Sequence, residues 1–334
     1  MNRASMLLLF NPRAGQGVFV RNLYEVLDKF TKHGFLVTAY PTQGTRDAYR
    51  MALEHGAEYD YLVCSGGDGT FSEVADAIMQ LPVEKSGELL GLGLEAIAPG
   101  EDFALLAREK TGGRPVFGYI PSGTSNDFAV SLGLPVDVLL AAEAICTGAP
   151  KTIDMGCFQG EHFSYVAAFG LFADVSYGTP QNMKNVLGHA AYMLEGVKRL
   201  AGIKSWHCTV GCDGEIIAGN FVFGMVANST TIGGFKLPVD YGSVQGDGLF
   251  ELVLIKEVRH FAELQEVMAV LSGAAKLSEF FIVRSARSIT VTCESGEEIE
   301  WTLDGEYGGK FCQAAIEIIP RALQLMTPEV THEP

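Results

Sequence analysis

No stretch of the 334-residue chain comes near the ~18 consecutive apolar residues that a membrane-spanning helix needs. The early apolar run Met6-Leu7-Leu8-Leu9-Phe10 is stopped by Asn11-Pro12 and is too short for the centre of a secretory signal, so a cytoplasmic location is expected. Cysteine is sparse: seven residues, an odd number, with no Cys-x-x-Cys spacing, suggest neither a disulfide framework nor a zinc site. Positive charge is short as well, with 24 Lys and Arg against 40 Asp and Glu and a net charge of -16. A nucleic-acid binder needs a basic stripe that displaces counterions, and tight electrostatic docking on anionic lipid needs a basic face, so this composition argues against both. Contact with a bilayer has to be local, weak or apolar. No Gly-Lys-Ser or Gly-Lys-Thr closes a glycine run, which leaves out a Walker-type loop, and the scattered histidines form no His-Glu-x-x-His or Ser-His-Asp arrangement.

What the chain does have is a series of polar, glycine-bearing turns, each placed between an apolar run and a helical pattern. Ser65-Gly66-Gly67-Asp68-Gly69-Thr70 joins the strand-like Tyr61-Leu62-Val63-Cys64 to a helix over Phe71 to Leu81. Glycines let the backbone turn sharply and allow a polyanion to approach the amides. Thr70 and Glu73 have capping-box spacing, which predicts the helix start there. Asp68 beside a phosphate implies a cation between them or a proton-accepting role. The competing reading is a ligand-free βα turn, since Asp-Gly is a common turn pair. Upstream, Met6 to Phe10 reads as a strand entering Asn11-Pro12-Arg13-Ala14-Gly15-Gln16-Gly17, followed by a helix carrying Val20, Leu23, Tyr24, Leu27 and Phe30 and ended by Gly34. Phe35 to Tyr40 predicts a strand, Pro41 to Gly44 a turn containing Thr42, and Thr45 to His55 a helix capped by Thr45. Alternating strand and helix with short loops predicts a parallel sheet flanked by helices, with the loops at Asn11, Thr42 and Gly66 on one edge.

Leu81 to Arg114 is rich in Gly, Leu and Glu; its Gly91-x-Gly93-x-x-Ala96 follows no convincing strand and reads as a surface excursion. Pro115 to Ile120 resumes as a strand and leads into Pro121-Ser122-Gly123-Thr124-Ser125-Asn126-Asp127-Phe128-Ala129. Read from its residues alone, this is either a second polar ligand turn or a capped helix start. Together with Asn11-Pro12-x-Ala14-Gly15 and Gly66-Gly67-Asp68-Gly69-Thr70, it resembles the catalytic domain of the diacylglycerol kinase and sphingosine kinase superfamily, in particular its soluble bacterial lipid kinases. The resemblance covers almost the whole chain. The one departure is the Leu81 to Arg114 connection, which is longer than the family's usual one.

Past the apolar helix Val136 to Cys146, closed by Gly148, the pattern changes at Pro150. Lys151 to Phe158 and His162 to Phe169 predict a hairpin around Gln159-Gly160-Glu161, and short strands follow at 206–211, 215–227, 249–255, 288–293, 299–303 and 311–319. This is β-sandwich grammar. Taken with this pattern, the resemblance implies an α/β nucleotide-binding domain over 1–149, of the NAD kinase and phosphofructokinase type, to which 320–334 returns, and a β-sandwich lipid-binding domain over 150–319. Gln181 to Ile203 reads as a basic amphipathic helix open to core packing or lipid contact, and Val258 to Leu277 as another helix.

The resemblance implies functional residues as well. Asn11, Pro12, Arg13, Ala14, Gly15, Thr42, Gly66, Gly67, Asp68, Gly69, Thr70, Phe71, Ser72, Gly123, Thr124, Asn126 and Asp127 would hold ATP. Gly233-Gly234-Phe235, Pro238 and Asp247-Gly248 resemble a structural magnesium stretch, with the Asp247 carboxylate and the carbonyls of Val244 and Leu249 as ligands; without the resemblance Asp247-Gly248 is a hairpin turn. In Leu303-Asp304-Gly305-Glu306, a motif that faces the nucleotide loop in the family, Glu306 is the candidate base with Asp304 in the metal and water network, and Asp68 competes for the role. The reading is an ATP- and magnesium-dependent lipid kinase of phospholipid biosynthesis, with diacylglycerol as first substrate and transient contact with the inner membrane surface; a homodimer stays open. The alternatives are an NAD kinase-like enzyme acting on a soluble substrate, whose Thr-Pro-Thr-Gly-Ser-Thr type motif is absent, and a silent regulatory protein of the same fold.

Overall fold

A computed structural model of the chain describes residues 3–82, 114–124, 126–171, 203–228, 231–232, 235–236 and 246–328. The chain forms two compact units: Met1–Asp154 with Arg321–Pro334, and Met155–Pro320.

The first unit is built on the parallel strands β1 (Ala4–Phe10), β2 (Phe35–Pro41), β3 (Tyr61–Gly66) and β4 (Val116–Pro121), in the order β2-β1-β3-β4. β3 and β4 are buried along their whole length, which is why they read as unbroken apolar runs rather than alternating ones. On one face Met6, Leu8, Val63 and Ile120 pack against Phe19, Val26 and Phe30 and against Val138, Ala142 and Ile145. Those residues belong to α1 (Val18–Arg21), α2 (Leu23–Lys32) and a later helix over Val138–Thr147. α3 (Asp47–His55) and α4 (Asp68–Gln80) contribute a second group, in which Phe71 meets Phe117 and Tyr119 at ring-centroid distances of 4.9 and 5.0 Å. α5 (Asp127–Ser131) and α6 (Val138–Thr147) complete the unit, α6 being capped by the Asp137 carboxylate, which accepts from the N–H groups of Leu139 and Leu140.

Three local expectations are corrected. The single helix expected through Val20 and Phe30 is two, broken at Asn22, whose amide donates to the Val18 carbonyl. α3 starts at Asp47 behind Arg46, which sits in the left-handed region at φ 61°, not behind Thr45. α4 starts at Asp68 with Gly67 before it, and no Thr70–Glu73 capping box forms: Glu73 reaches to α3 instead, accepting from Arg46 N at 2.8 Å and Tyr49 N at 3.4 Å.

The second unit is a β-sandwich. Its strands include most of β5 (Ala149–Phe158), then β6 (Glu161–Phe163), β7 (Val166–Gly170), β8 (Trp206–Cys212), β9 (Glu215–Ala227), the short β10 (Thr231–Ile232) and β11 (Phe235–Lys236), and β12 (Phe250–Lys256). They continue as β13 (Phe281–Ala286), β14 (Ser288–Cys293), β15 (Ile299–Leu303), β16 (Glu306–Phe311) and the first part of β17 (Gln313–Thr327), with α7 (Phe261–Leu271) between β12 and β13. β9 serves both sheets: its first half pairs with β8, its second with β7 and β12. Trp301, 1% exposed, fills the interior against Phe158 and Phe169, with centroids 4.9 and 4.8 Å apart. The end of β17 pairs with β4 through Leu325 and Phe117, so the chain returns to the first unit without a loop at Pro320.

Here too the pattern misleads in places. β13 and β16 carry no strong alternation and escape the sequence reading. The strand expected over His162 to Phe169 is interrupted at Ser164-Tyr165, so the hairpin with β5 ends at Phe163. The expected helix at 181–203 and nearly all of the 81–114 excursion lie outside the described residues, as do Gly233, Gly234 and Pro238. No described helix is long and apolar enough to cross a membrane.

Candidate active site

The loops that follow β1, β2, β3 and β4 are drawn together at the carboxyl edge of the sheet by backbone hydrogen bonds. Asn11 N donates to the Ser65 carbonyl at 2.8 Å, and Thr42 N to the Phe10 carbonyl at 2.9 Å. The Gly66 carbonyl accepts from Ser122 N at 2.7 Å, Gly123 N at 3.1 Å and the Tyr119 hydroxyl at 3.3 Å. Beneath it the Ser65 and Ser122 hydroxyls meet at 3.0 Å, both buried. Three motifs that are far apart in sequence therefore form one surface.

Glycine is required for that meeting before any ligand is considered. A Cβ on Gly15 would lie 2.2 Å from the Ser122 carbonyl oxygen, and one on Gly123 would lie 2.5 Å from Gly67 Cα. Gly69, by contrast, is exposed, with open space where a Cβ would sit. α4 begins at this loop, so its positive dipole end lies beside exposed backbone, the environment that favours an anion.

Asp68 has a partner that the sequence did not disclose. Its carboxylate accepts from Asp127 N at 3.2 Å and Phe128 N at 3.4 Å, the first amides of α5. Asn126, in the left-handed region at φ 52°, accepts from Gly123 N through Oδ1 at 2.9 Å and donates from Nδ2 to the Gly123 carbonyl at 3.2 Å. Asp68 thus ties the third motif to the second, and Asn126 closes the third upon itself, while Thr124 is exposed. Asn11 Oδ1 accepts from Arg13 N at 3.0 Å and shapes its own loop, with Pro12 and Ala14 half-buried within it. Thr42 is nearly buried, and the turn after it is held by Asp47, which accepts from Gln43 N and from Arg50 at 2.8 and 2.7 Å. The Gln43 amide and then Arg50 hold the Asp47 carboxyl below the usual range. Phe71 faces the core and Ser72 is half-buried, so within Gly66–Ser72 it is the start of the segment that lines the surface.

The remaining candidates lie in the second unit. Asp304 and Gly305 form the two-residue turn between β15 and β16, both at positive φ (49° and 87°), with Leu303 opposite Glu306. Glu306 is exposed; the Asp304 carboxylate accepts from the Ser164, Tyr165 and Val166 amides and the Ser164 hydroxyl at 2.8–2.9 Å. Asp247 is exposed between Gly246 and Gly248, and its Oδ1 accepts from Leu249 N at 2.9 Å. Val244 lies outside the described residues. Among the described residues no three His, Cys, Asp or Glu side chains gather as a metal site. One carboxylate with backbone carbonyls is nonetheless a hard oxygen set of the kind magnesium takes. Burial, and to a lesser degree the charge of Asp247, hold the neighbouring Glu251 carboxyl above its usual range, which a cation nearby would relieve.

Sequence reasoning missed Ser65, Ser122, Asp47, Glu73 and Ser164 as parts of this construction. For Ser164 there was a signal, a small polar residue inside an apolar run; for Glu73 the signal pointed to the wrong helix.

Fold and loops together define a class, a kinase with an α/β nucleotide domain and a β-sandwich. Residues 5–158 match the model of the diacylglycerol kinase catalytic domain, and 166–327 that of the YegS C-terminal NAD kinase beta sandwich-like domain. The chain is 30% identical over 305 residues to a diacylglycerol kinase of Bacillus subtilis (strain 168), covering 90% of this chain and 89% of that one. It is 30% identical over 326 residues to one of Staphylococcus epidermidis (strain ATCC 12228 / FDA PCI 1200), covering 96% and 92%. The crystal structure of a diacylglycerol kinase from Bacillus anthracis str. Sterne shares the fold, with a TM-score of 0.68 at 20% identity over 98% of each chain. The chain belongs to the diacylglycerol kinase catalytic-domain family and is thereby a lipid kinase, which takes its phosphoryl group from ATP.

Proposed function

We propose that the protein transfers the γ-phosphoryl group of ATP to the hydroxyl of diacylglycerol, giving phosphatidic acid and ADP. The observation that carries this reading is the joining of the Asn11, Gly66 and Gly123 loops into one surface at the start of α4. That surface suits a polyphosphate, and the relatives of matching length are diacylglycerol kinases. The first unit would hold ATP through Asn11 to Gly15, Thr42, Gly66 to Ser72, Gly123, Thr124, Asn126 and Asp127. The second would take the lipid and supply Glu306, whose exposed carboxylate would accept the hydroxyl proton as the new P–O bond forms and the bond from Pγ to the β–γ bridging oxygen breaks. A structural magnesium ion would be held by Asp247 with the carbonyls of Val244 and Leu249. The protein would work at the cytoplasmic membrane surface by transient contact.

The test is transfer of labelled γ-phosphate from ATP, with magnesium, to detergent-dispersed diacylglycerol, phosphatidylglycerol and sphingoid bases, with NAD alongside. Label is expected on diacylglycerol, and Asp68→Ala is expected to lose at least about 10²-fold in kcat, with unchanged circular dichroism. Label on another lipid would reassign the substrate. Label on NAD, or wild-type turnover by Asp68→Ala, would refute the reading or its site.

A further inference from the structure

The Asp304–Gly305 turn has a structural counterpart elsewhere in the same sandwich. Asp213 and Gly214, at φ 46° and 94°, close the two-residue turn between β8 and β9, with Cys212 opposite Glu215. There the Asp213 carboxylate accepts from Arg287 N and Ser288 N, and Asp213 N donates to the Ser288 carbonyl at 3.1 Å. At the other turn the Asp304 carboxylate accepts from Tyr165 N and Val166 N, and Asp304 N donates to the Val166 carbonyl at 2.8 Å. The two turns use one device: an aspartate that tolerates positive φ and staples its hairpin to the start of a neighbouring strand. Asp213 does this with no part in the proposed chemistry.

What Asp304 has and Asp213 lacks is Ser164. The Ser164 amide and hydroxyl both donate to Asp304 Oδ2, at 2.8 and 2.9 Å, so Oδ1 and Oδ2 each take two of these donors. Ser164 is fully buried, although hydroxyls favour the surface. It stands in the break between β6 and β7, where the strand stops so that three successive amides can face one carboxylate. A carboxylate engaged in this way would have to give up good hydrogen bonds to bind a metal or hold a mobile proton. Two residues further on, Glu306 is exposed and carries the proposed chemistry.

We infer that Asp304 is a positioning residue rather than a catalytic one, and that Ser164 is a further positioning residue: together they fix the turn from which Glu306 projects. The inference rests on the proposed role of Glu306. Misplacing a reacting group by about 1 Å can cost on the order of 10²-fold in rate, so loosening this turn is expressed in kcat and not in the binding of ATP.

The experiment compares Glu306→Gln, Asp304→Asn, Ser164→Ala and Asp213→Asn in the full-length protein. Its readouts are kcat and KM for ATP with diacylglycerol micelles, ATP-binding stoichiometry, and amide hydrogen exchange at 164–166 and 304–306. Ser164→Ala is expected to lower kcat about 10-fold, and Asp304→Asn between about 10- and 10²-fold, with KM for ATP and stoichiometry unchanged and faster exchange in both segments. Glu306→Gln should fall further, and adding Ser164→Ala to it should slow it no more. Asp213→Asn should lower thermal stability while keeping kcat.

Wild-type kcat or unchanged exchange at 304–306 in Ser164→Ala overturns the inference. So does a Ser164→Ala effect that persists undiminished in the Glu306→Gln background, or an Asp304→Asn loss as deep as that of Glu306→Gln. If Glu306→Gln turns over at the wild-type rate, the proposed base itself is wrong and the inference falls with it. That arm separates the two failures.

Discussion

The glycine loops of the first unit and the Asp304–Gly305 turn of the second solve the same problem, holding an exposed segment still, by opposite means. In the first unit the loops are held by the absence of side chains: Gly15 and Gly123 come so near to neighbouring backbone that a methyl group has no place. In the second unit the turn is held by the presence of one, the carboxylate of Asp304, surrounded by donors from Ser164 to Val166. Steric holding is unforgiving because backbone cannot step aside, whereas hydrogen-bonded holding is graded because each bond contributes separately. A phosphate surface made of amides needs bare backbone. A projecting carboxylate needs only a firm base. The difference between the two regions thus follows from what each is proposed to present.

The comparison predicts its own largest effect. Gly15→Ala would force a Cβ to 2.2 Å from the Ser122 carbonyl oxygen at a residue already at φ 50°, so the loop must move away from Ser122. We expect loss of ATP binding by at least about 10²-fold with destabilisation of about 2–3 kcal/mol, read by titration calorimetry and urea unfolding. Near-wild-type ATP affinity would show that the loops tolerate separation and that steric holding is not the device. Next in size, Asp304→Ala removes the acceptor for Ser164, Tyr165 and Val166 and leaves a buried hydroxyl and several amides to find water. Each unsatisfied buried group costs about 1–3 kcal/mol, partly relieved at this half-buried site, so a loss of about 3 kcal/mol is expected in urea unfolding of the second unit, with ATP binding by the first unit intact. If ATP binding fails as well, the two devices are not independent.

The sequence made some of this legible and hid the rest for physical reasons. The strands β1, β3, β4, β9 and β14 are plain because burial on one or both faces imposes an apolar pattern, and the glycine motifs are plain because close approach leaves no alternative residue. The break at Ser164-Tyr165 is hidden because a local pattern cannot report that a carboxylate 140 positions later will take the amides. β16 is hidden for another reason: much of Glu306-Tyr307-Gly308-Gly309-Lys310-Phe311 is exposed and shows no buried face. Asp68 stood out as a candidate in the sequence but its contact did not, since its hydrogen bonds to Asp127 and Phe128 join motifs about 60 positions apart. Local signals located the parts, while the long-range hydrogen bonds that fasten them could only be seen in the fold.

Glu73 offers the finest test, because it is a carboxylate fastener of the second unit's kind placed among the glycine loops of the first. Its spacing from Thr70 suggested a cap for its own helix, but it holds the start of α3 through Arg46 N and Tyr49 N, and so braces the turn that follows Thr42. Burial, outweighing these hydrogen bonds, keeps its carboxyl above the usual glutamate range. A carboxyl raised on folding favours the folded state while protonated, and that advantage is lost as pH rises from the ordinary glutamate value through the folded one. Glu73→Gln keeps one acceptor oxygen and removes the titration. Relative to that variant, the wild-type protein is expected to lose stability across that interval, by about 1 kcal/mol or less, the size of a single hydrogen bond. Unfolding midpoints of the two proteins measured at successive pH values would show it. Parallel curves would mean that Glu73 is as well solvated in the folded chain as in the unfolded one, and that the α3 turn is held by backbone contacts alone, as the glycine loops are.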